Sequence, residues 1–165
     1  MAVTQGAWSV SSVNGFKVIQ CDVALTGSDS ETDTYTLKTP KDLNPEKQWL
    51  LFLTFNDTPD GQALPVDLWY GYSDSFALSG QGANVVATDG AQHKQILDDC
   101  VSAVSGIEMV WIMDPHTTVA DDVTYNAGVS ANVKTPIAPY YAFALDGGSA
   151  LTTARTATWT IIQKA

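Results

Sequence analysis

The chain is short of charge, and shortest of arginine. Of its 165 residues only 16% are charged, and Arg155 is the single arginine. A typical soluble protein carries about 25%. Phosphoryl transfer and phosphate binding recruit guanidinium groups and glycine-rich loops. One arginine and no Walker or dinucleotide fingerprint argue against that class. Histidine is as scarce: His93 and His116 are the two candidates for a general base. A nucleophile–base system needs one within reach of a nucleophile, and no Gly-x-Ser-x-Gly elbow is present. The commoner reading of both is a loop or surface histidine. Cysteine is limited to Cys21 and Cys100, without a CxxC pair or zinc spacing. Both lie among apolar residues and read as buried free thiols, although one disulfide between them is an alternative. No long apolar run exists. Trp49-Leu50-Leu51-Phe52-Leu53 is far too short to span a bilayer. Met1-Ala2-Val3-Thr4-Gln5 lacks the basic-then-apolar pattern of a signal peptide, so the expectation is a protein made in a cytoplasm and not secreted.

What is abundant is acid. The formal net charge is -10, which disfavours sequence-independent nucleic-acid binding and contact with anionic membranes. The charge is uneven along the chain. Residues 1–122 hold seventeen acids against five bases, and residues 123–165 hold Asp146 against Lys134, Arg155 and Lys164. Chance and buried strands account for this in the bland reading. The sharper one is a weakly basic C-terminal face that meets an acidic neighbour. Paired carboxylates stand at Asp98-Asp99 and Asp121-Asp122, but adjacent residues do not face each other on a helix or share a face on a strand. Two acidic loops, 29–33 and 56–61, offer oxygens that suit calcium, yet neither follows an EF-hand pattern and solvated acidic loops are commoner. No catalytic, cofactor-binding or metal residue is therefore assigned, no cofactor is expected, and the chain is read as not an enzyme.

Hydrophobic residues make up 45% of the chain, and 165 residues fit one domain, read as 1–165, with a self-sufficient core. Trp8-Ser9-Val10-Ser11 alternates, Asn14-Gly15 is a strong two-residue turn, and Phe16 to Leu25 continues as a β-branched run. Together they predict a hairpin. Gln48 to Phe55 is almost wholly apolar, as in a central strand buried on both faces. Further strands are expected at 34–39, 66–72, 76–78, 85–88, 107–113, 140–145 and 156–163, with 121–133 ambiguous. One helix is predicted over about 91–105: Asp89 and Gln92 form a cap pair, and Ile96, Leu97, Cys100, Val101 and Val104 share a helical face. Many short strands, frequent turns and no βα alternation predict a mainly β fold, an antiparallel β-sandwich or jelly roll with that one short helix. The aromatics Trp69, Tyr70, Tyr72, Tyr140 and Tyr141 are candidates for sugar stacking or subunit interfaces, with core packing the commoner role.

The C-terminal stretches Pro139-Tyr140-Tyr141-Ala142-Phe143-Ala144-Leu145 and Thr156-Ala157-Thr158-Trp159-Thr160-Ile161-Ile162-Gln163-Lys164-Ala165 resemble small structural proteins of tailed-bacteriophage heads. The Thr, Ser and Gly-rich character agrees. The resemblance covers about the last quarter of the chain and no specific motif. It implies a head decoration, or cement, protein: a compact β-sandwich on the capsid exterior, commonly a trimer, that clamps adjacent major capsid proteins. Its partners would be the major capsid protein lattice and its own copies. Another virion part (tail tube, head-completion or fibre-associated module) and a lectin-like carbohydrate-binding sandwich are the alternatives.

Overall fold

The computed structural model describes residues 7–25, 34–55, 65–71, 78–79, 86–87, 93–101, 108–116, 123–126, 131–146 and 155–165. Its thirteen strands are β1 (Ser9–Val13), β2 (Phe16–Leu25), β3 (Thr34–Lys38), β4 (Trp49–Phe55), β5 (Pro65–Gly71), β6 (Leu78–Ser79), β7 (Val86–Ala87), β8 (His93–Val101), β9 (Glu108–Asp114), β10 (Val123–Asn126), β11 (Ala131–Lys134), β12 (Tyr140–Asp146) and β13 (Arg155–Lys164). A six-stranded sheet runs β1-β2-β13-β4-β9-β11 and a five-stranded sheet runs β10-β8-β5-β12-β3. A separate β6–β7 pair completes the strands. Most pairings are antiparallel, but β10 lies parallel to β8 and β11 parallel to β9. The mainly β sandwich expected from the sequence is the fold found. Leu78, in the strand expected at 76–78, lies opposite Ala87 in β7.

The Asn14-Gly15 turn forms as read. Val13 faces Phe16, and both turn residues have positive φ, 50° at Asn14 and 82° at Gly15. That is the two-residue turn whose twist matches the strands it joins. The alternation of β4 then sets the core. Trp49, Leu51, Leu53 and Phe55 point inward and are buried. Leu51 pairs with Ile161 and Trp111, Ile161 pairs with Ile19, and Trp159 pairs with Leu53 and Cys21. Against these rows the five-stranded sheet sets Leu68, Tyr141 and Phe143. Phe143 meets Trp159 edge-on with ring centroids 5.6 Å apart and Trp49 at 6.2 Å, so aromatic contacts join the two layers.

The helix expected over 91–105 is not there: His93–Val101 is β8. Val66 lies opposite Cys100 and Leu68 opposite Leu97, so two steps along β5 span three along β8. Trp69 lies opposite Gln95, which adds a second surplus residue. Each surplus is a β-bulge. A bulge lets residues three apart occupy successive like positions of a strand, so the spacing of Leu97 and Cys100 mimics a helical face. The proposed cap residues, Asp89 and Gln92, and Val104 lie outside the described residues.

Candidate functional site

One end of the sandwich is built by the connection from β3 to β4 and the start of β12. Leu43 N donates to Pro40 O at 3.1 Å and Lys47 N to Asn44 O at 3.3 Å, while Asn44 Oδ1 accepts from Glu46 N at 3.0 Å. These local bonds shape the connection, and Gln163 of β13 ties it down. Its side chain is 1% exposed. Gln163 Oε1 accepts from Asn44 N at 2.9 Å, and Nε2 donates to Asn44 O at 2.6 Å and to Lys47 O at 3.4 Å. On the other side, Tyr141 Oη donates to Pro136 O at 2.5 Å and accepts from Ala138 N at 3.3 Å. Burial pushes its hydroxyl up to about 12, offset in part by the bond from Ala138. Thr39 Oγ1 also bonds the backbone of Tyr141. Between these walls lies a pocket of about 420 Å³, lined among others by Pro40, Lys41, Pro45, Pro139 and Tyr140.

The same end gathers lysines from the whole chain. Lys41, Lys47, Lys134 and Lys164 are exposed there, and Lys17 reaches Asp42 O through Nζ at 3.0 Å. The register puts Lys38 opposite Ala142 and Lys94 opposite Tyr70, at the matching end of the five-stranded sheet. The acids described at this end are Asp42, Glu46 and Asp114. Glu108 and Asp146, opposite Thr54 and Thr34, mark the far end, where Arg155 begins β13 opposite Leu25. The C-terminal bases therefore do not share one face: Lys134 and Lys164 stand at this end among lysines from the first half of the chain, and Arg155 at the other.

The outer face of the six-stranded sheet is a second surface. Ser11, Val18, Ile162, Leu50, Ile112 and Asn132 form one register row across all six strands. Phe52 and Val110 stand in the next row, beside Thr160 and Gln20. Val18, Leu50, Phe52, Val110, Ile112 and Ile162 are half-buried, and Phe16 at the margin is exposed. So β4 is central as expected but is not buried on both faces. The five-stranded sheet differs: Trp69 and Ala142, paired on its outward face, are both buried.

The residues singled out in the sequence do not converge. His93 lies opposite Gly71 in the five-stranded sheet. His116 follows β9 in the other sheet, exposed, with its backbone N donating to Asp114 Oδ1 at 2.8 Å and Nε2 3.3 Å from Glu46 O. Cys21 is buried and not disulfide-bonded, and burial first, then the Asp22 carboxylate, raises its thiol pKa. Cys100 lies opposite Val66 and Asp98 opposite Thr124. Asp121-Asp122, Tyr72 and the acidic loops 29–33 and 56–61 lie outside the described residues. Among the described residues no group of three His, Cys, Asp or Glu side chains is placed to hold a metal. Tyr70 packs on the core, and Tyr141, itself in the core, lines the open pocket together with Tyr140. The lysine-bearing end was missed by sequence reasoning. Its members run from Lys17 to Lys164, and only the strand directions bring them together.

No family model and no curated protein matches this chain. A solved structure, "The crystal structure of an agarase, AgWH50C", overlaps 99% of it with a TM-score of 0.28 and 6% identity. This chain spans 22% of that agarase chain's length, and a similarity of this size carries no argument about fold or activity.

Proposed function

We propose that the chain is a structural assembly protein that decorates and stabilises a tailed-phage capsid from the outside, bridging major capsid protein subunits as a homo-oligomer, a trimer by the family resemblance. The observation that carries the reading is the open apolar row Val18–Ile162–Leu50–Ile112 on the six-stranded sheet. Its polar margin is Ser11, Gln20 and Thr160. An apolar centre with a polar rim is the anatomy of a protein interface. On the opposing sheet the outward residues Trp69 and Ala142 are buried, which supports the six-stranded sheet as the docking side. Contact area across a joint, multiplied by oligomerisation, strengthens a lattice without turnover. The acidic remainder keeps decorated particles apart.

Incubation with undecorated capsids tests it. The protein should sediment with them, and Leu50→Asp or Ile112→Asp should stay in the supernatant while retaining the wild-type circular dichroism spectrum. Wild-type protein that remains in the supernatant at every salt and protein concentration overturns the decoration reading. Binding to a glycan array would then favour the lectin-like alternative.

A further inference from the structure

We propose that the lysine-bearing end of the sandwich is a docking surface for a short acidic, extended segment of a partner protein, with the pocket between residues 39–45 and 138–141 receiving one of its apolar side chains. The proposal rests on the assembly reading only in taking the partner to be a protein.

Charge placement is the first argument. A chain of net charge -10 would be expected to spread its few cations among its acids. Instead all seven lysines fall at one end, Lys41, Lys47, Lys134 and Lys164 exposed and Lys17, Lys38 and Lys94 at the same level of the sheets, against three acids described there, Asp42, Glu46 and Asp114. Lys41 borders the pocket of about 420 Å³, and Lys164 borders a smaller one of about 270 Å³ with Phe16 and Ile162. Concentrating like charges is unfavourable for the isolated protein and favourable once an opposite charge arrives. Such a surface also orients an approaching anion while the net negative charge of the rest of the chain repels it.

The shape of the end is the second argument. Pro40, Pro45, Pro139 and Tyr140 give the pocket stiff apolar walls. Gln163 and Tyr141, both buried, fix those walls from beneath through hydrogen bonds. A recess built in advance loses little freedom when occupied. It suits one aliphatic or aromatic side chain of an extended segment, with the carboxylates on either side reaching the lysines.

Carboxylate is favoured over phosphate as the anion. The single arginine lies at the opposite end, so the lysines act as point charges, and the apolar pocket beside them suits a peptide side chain rather than a bare phosphate chain. A longer polyanion would also be repelled by the net acidic remainder of the chain.

The test uses the full chain and a rhodamine-labelled decaglutamate carrying a central tyrosine, read by fluorescence anisotropy without capsids. Failure of capsid docking and failure of this proposal are therefore separate results. Saturable binding at low salt is expected, weakening about tenfold or more near 0.3 M salt. The K41E/K134E/K164E variant should bind about tenfold or more weakly while keeping the wild-type thermal midpoint. If that variant fails to fold, carbodiimide coupling of the peptide to the wild-type chain should map to Lys41, Lys47, Lys134 or Lys164. Absence of saturable binding, coupling mapped elsewhere, or a folded variant that binds like wild type overturns the proposal. Oligothymidylate binding as tightly would assign the end to nucleic acid instead. Self-association abolished by the variant would assign it to a second copy.

Discussion

Replacing Gln163 with methionine keeps the side-chain length and removes its polar end. In the wild type that end makes two short bonds, 2.9 Å from Asn44 N and 2.6 Å to Asn44 O, and a long one of 3.4 Å to Lys47 O. A typical internal hydrogen bond contributes about 1 kcal/mol net, and a donor or acceptor left buried and unpaired costs about 1–3 kcal/mol. The 3.4 Å bond is near the limit of useful geometry and adds little. Asn44 is half-buried, so water can reach part of what is exposed. The expected loss is about 2 kcal/mol. For a chain of 165 residues that lowers the thermal midpoint by about 4–8 °C. Urea unfolding should show a lower midpoint with an unchanged slope. Gln20→Ala is the control: its Nε2 bond to Thr160 Oγ1 is exposed, and the change should stay within about 0.5 kcal/mol. Gln163→Met within that same margin would refute the claim that this side chain holds the connection. The variant should also weaken decaglutamate binding, because Lys41 and Lys47 ride on the segment it anchors.

Three further outcomes are expected. Tyr141→Phe leaves Pro136 O and Ala138 N without their partner and should cost about 1–3 kcal/mol at neutral pH. Because Tyr141 is raised from 10.0 to about 12, the unfolded chain gives up that proton first, so wild-type stability should fall as pH rises between those values. Urea unfolding across that range should show a shallower fall for Tyr141→Phe, and parallel curves would contradict the assignment. Cys21 should resist a thiol reagent in the folded protein: a Cys100→Ser variant should give no reaction at pH 8 and one equivalent in guanidinium, whereas rapid native reaction would mean that its sheet opens readily. Gly15→Ala should cost about 1 kcal/mol by urea unfolding through backbone strain alone, since φ is 82° and an added Cβ meets nothing within 4 Å. A loss far larger than that would mean the turn is held by contacts the strain argument omits.

Local patterns in the sequence report what neighbours in the chain do. Asn14-Gly15 carries its turn in two residues, and the apolar run from Trp49 to Phe55 announces a central strand, so both were legible. The outward members of that run, Leu50 and Phe52, show the limit: the same run serves a strand covered on both faces and one with an apolar face left open. β8 failed for a different reason. A strand with two bulges repeats its like positions at three rather than two, and that spacing belongs equally to a helix. The parallel pairs β8–β10 and β9–β11 leave no local signature at all. Nor does the lysine end, where Lys17, Lys41, Lys134 and Lys164 are adjacent in no window of sequence.

The placement of β13 bears on how the protein can be made. This strand, the last of the thirteen, sits in the middle of the six-stranded sheet, between β2 and β4. Thr158 Oγ1 reaches Asp22 Oδ1 across 136 positions of chain. As the polypeptide leaves the ribosome, the β1–β2 hairpin and β4 must wait, each with one edge open, until Arg155–Lys164 arrives to knit them together. Such non-local closure is slow, and unpaired apolar strands are prone to wrong partners while they wait. A nascent chain stalled before residue 155 should therefore be sensitive to protease and captured by chaperones. Release of the last ten strand residues should convert it to a resistant form in one step.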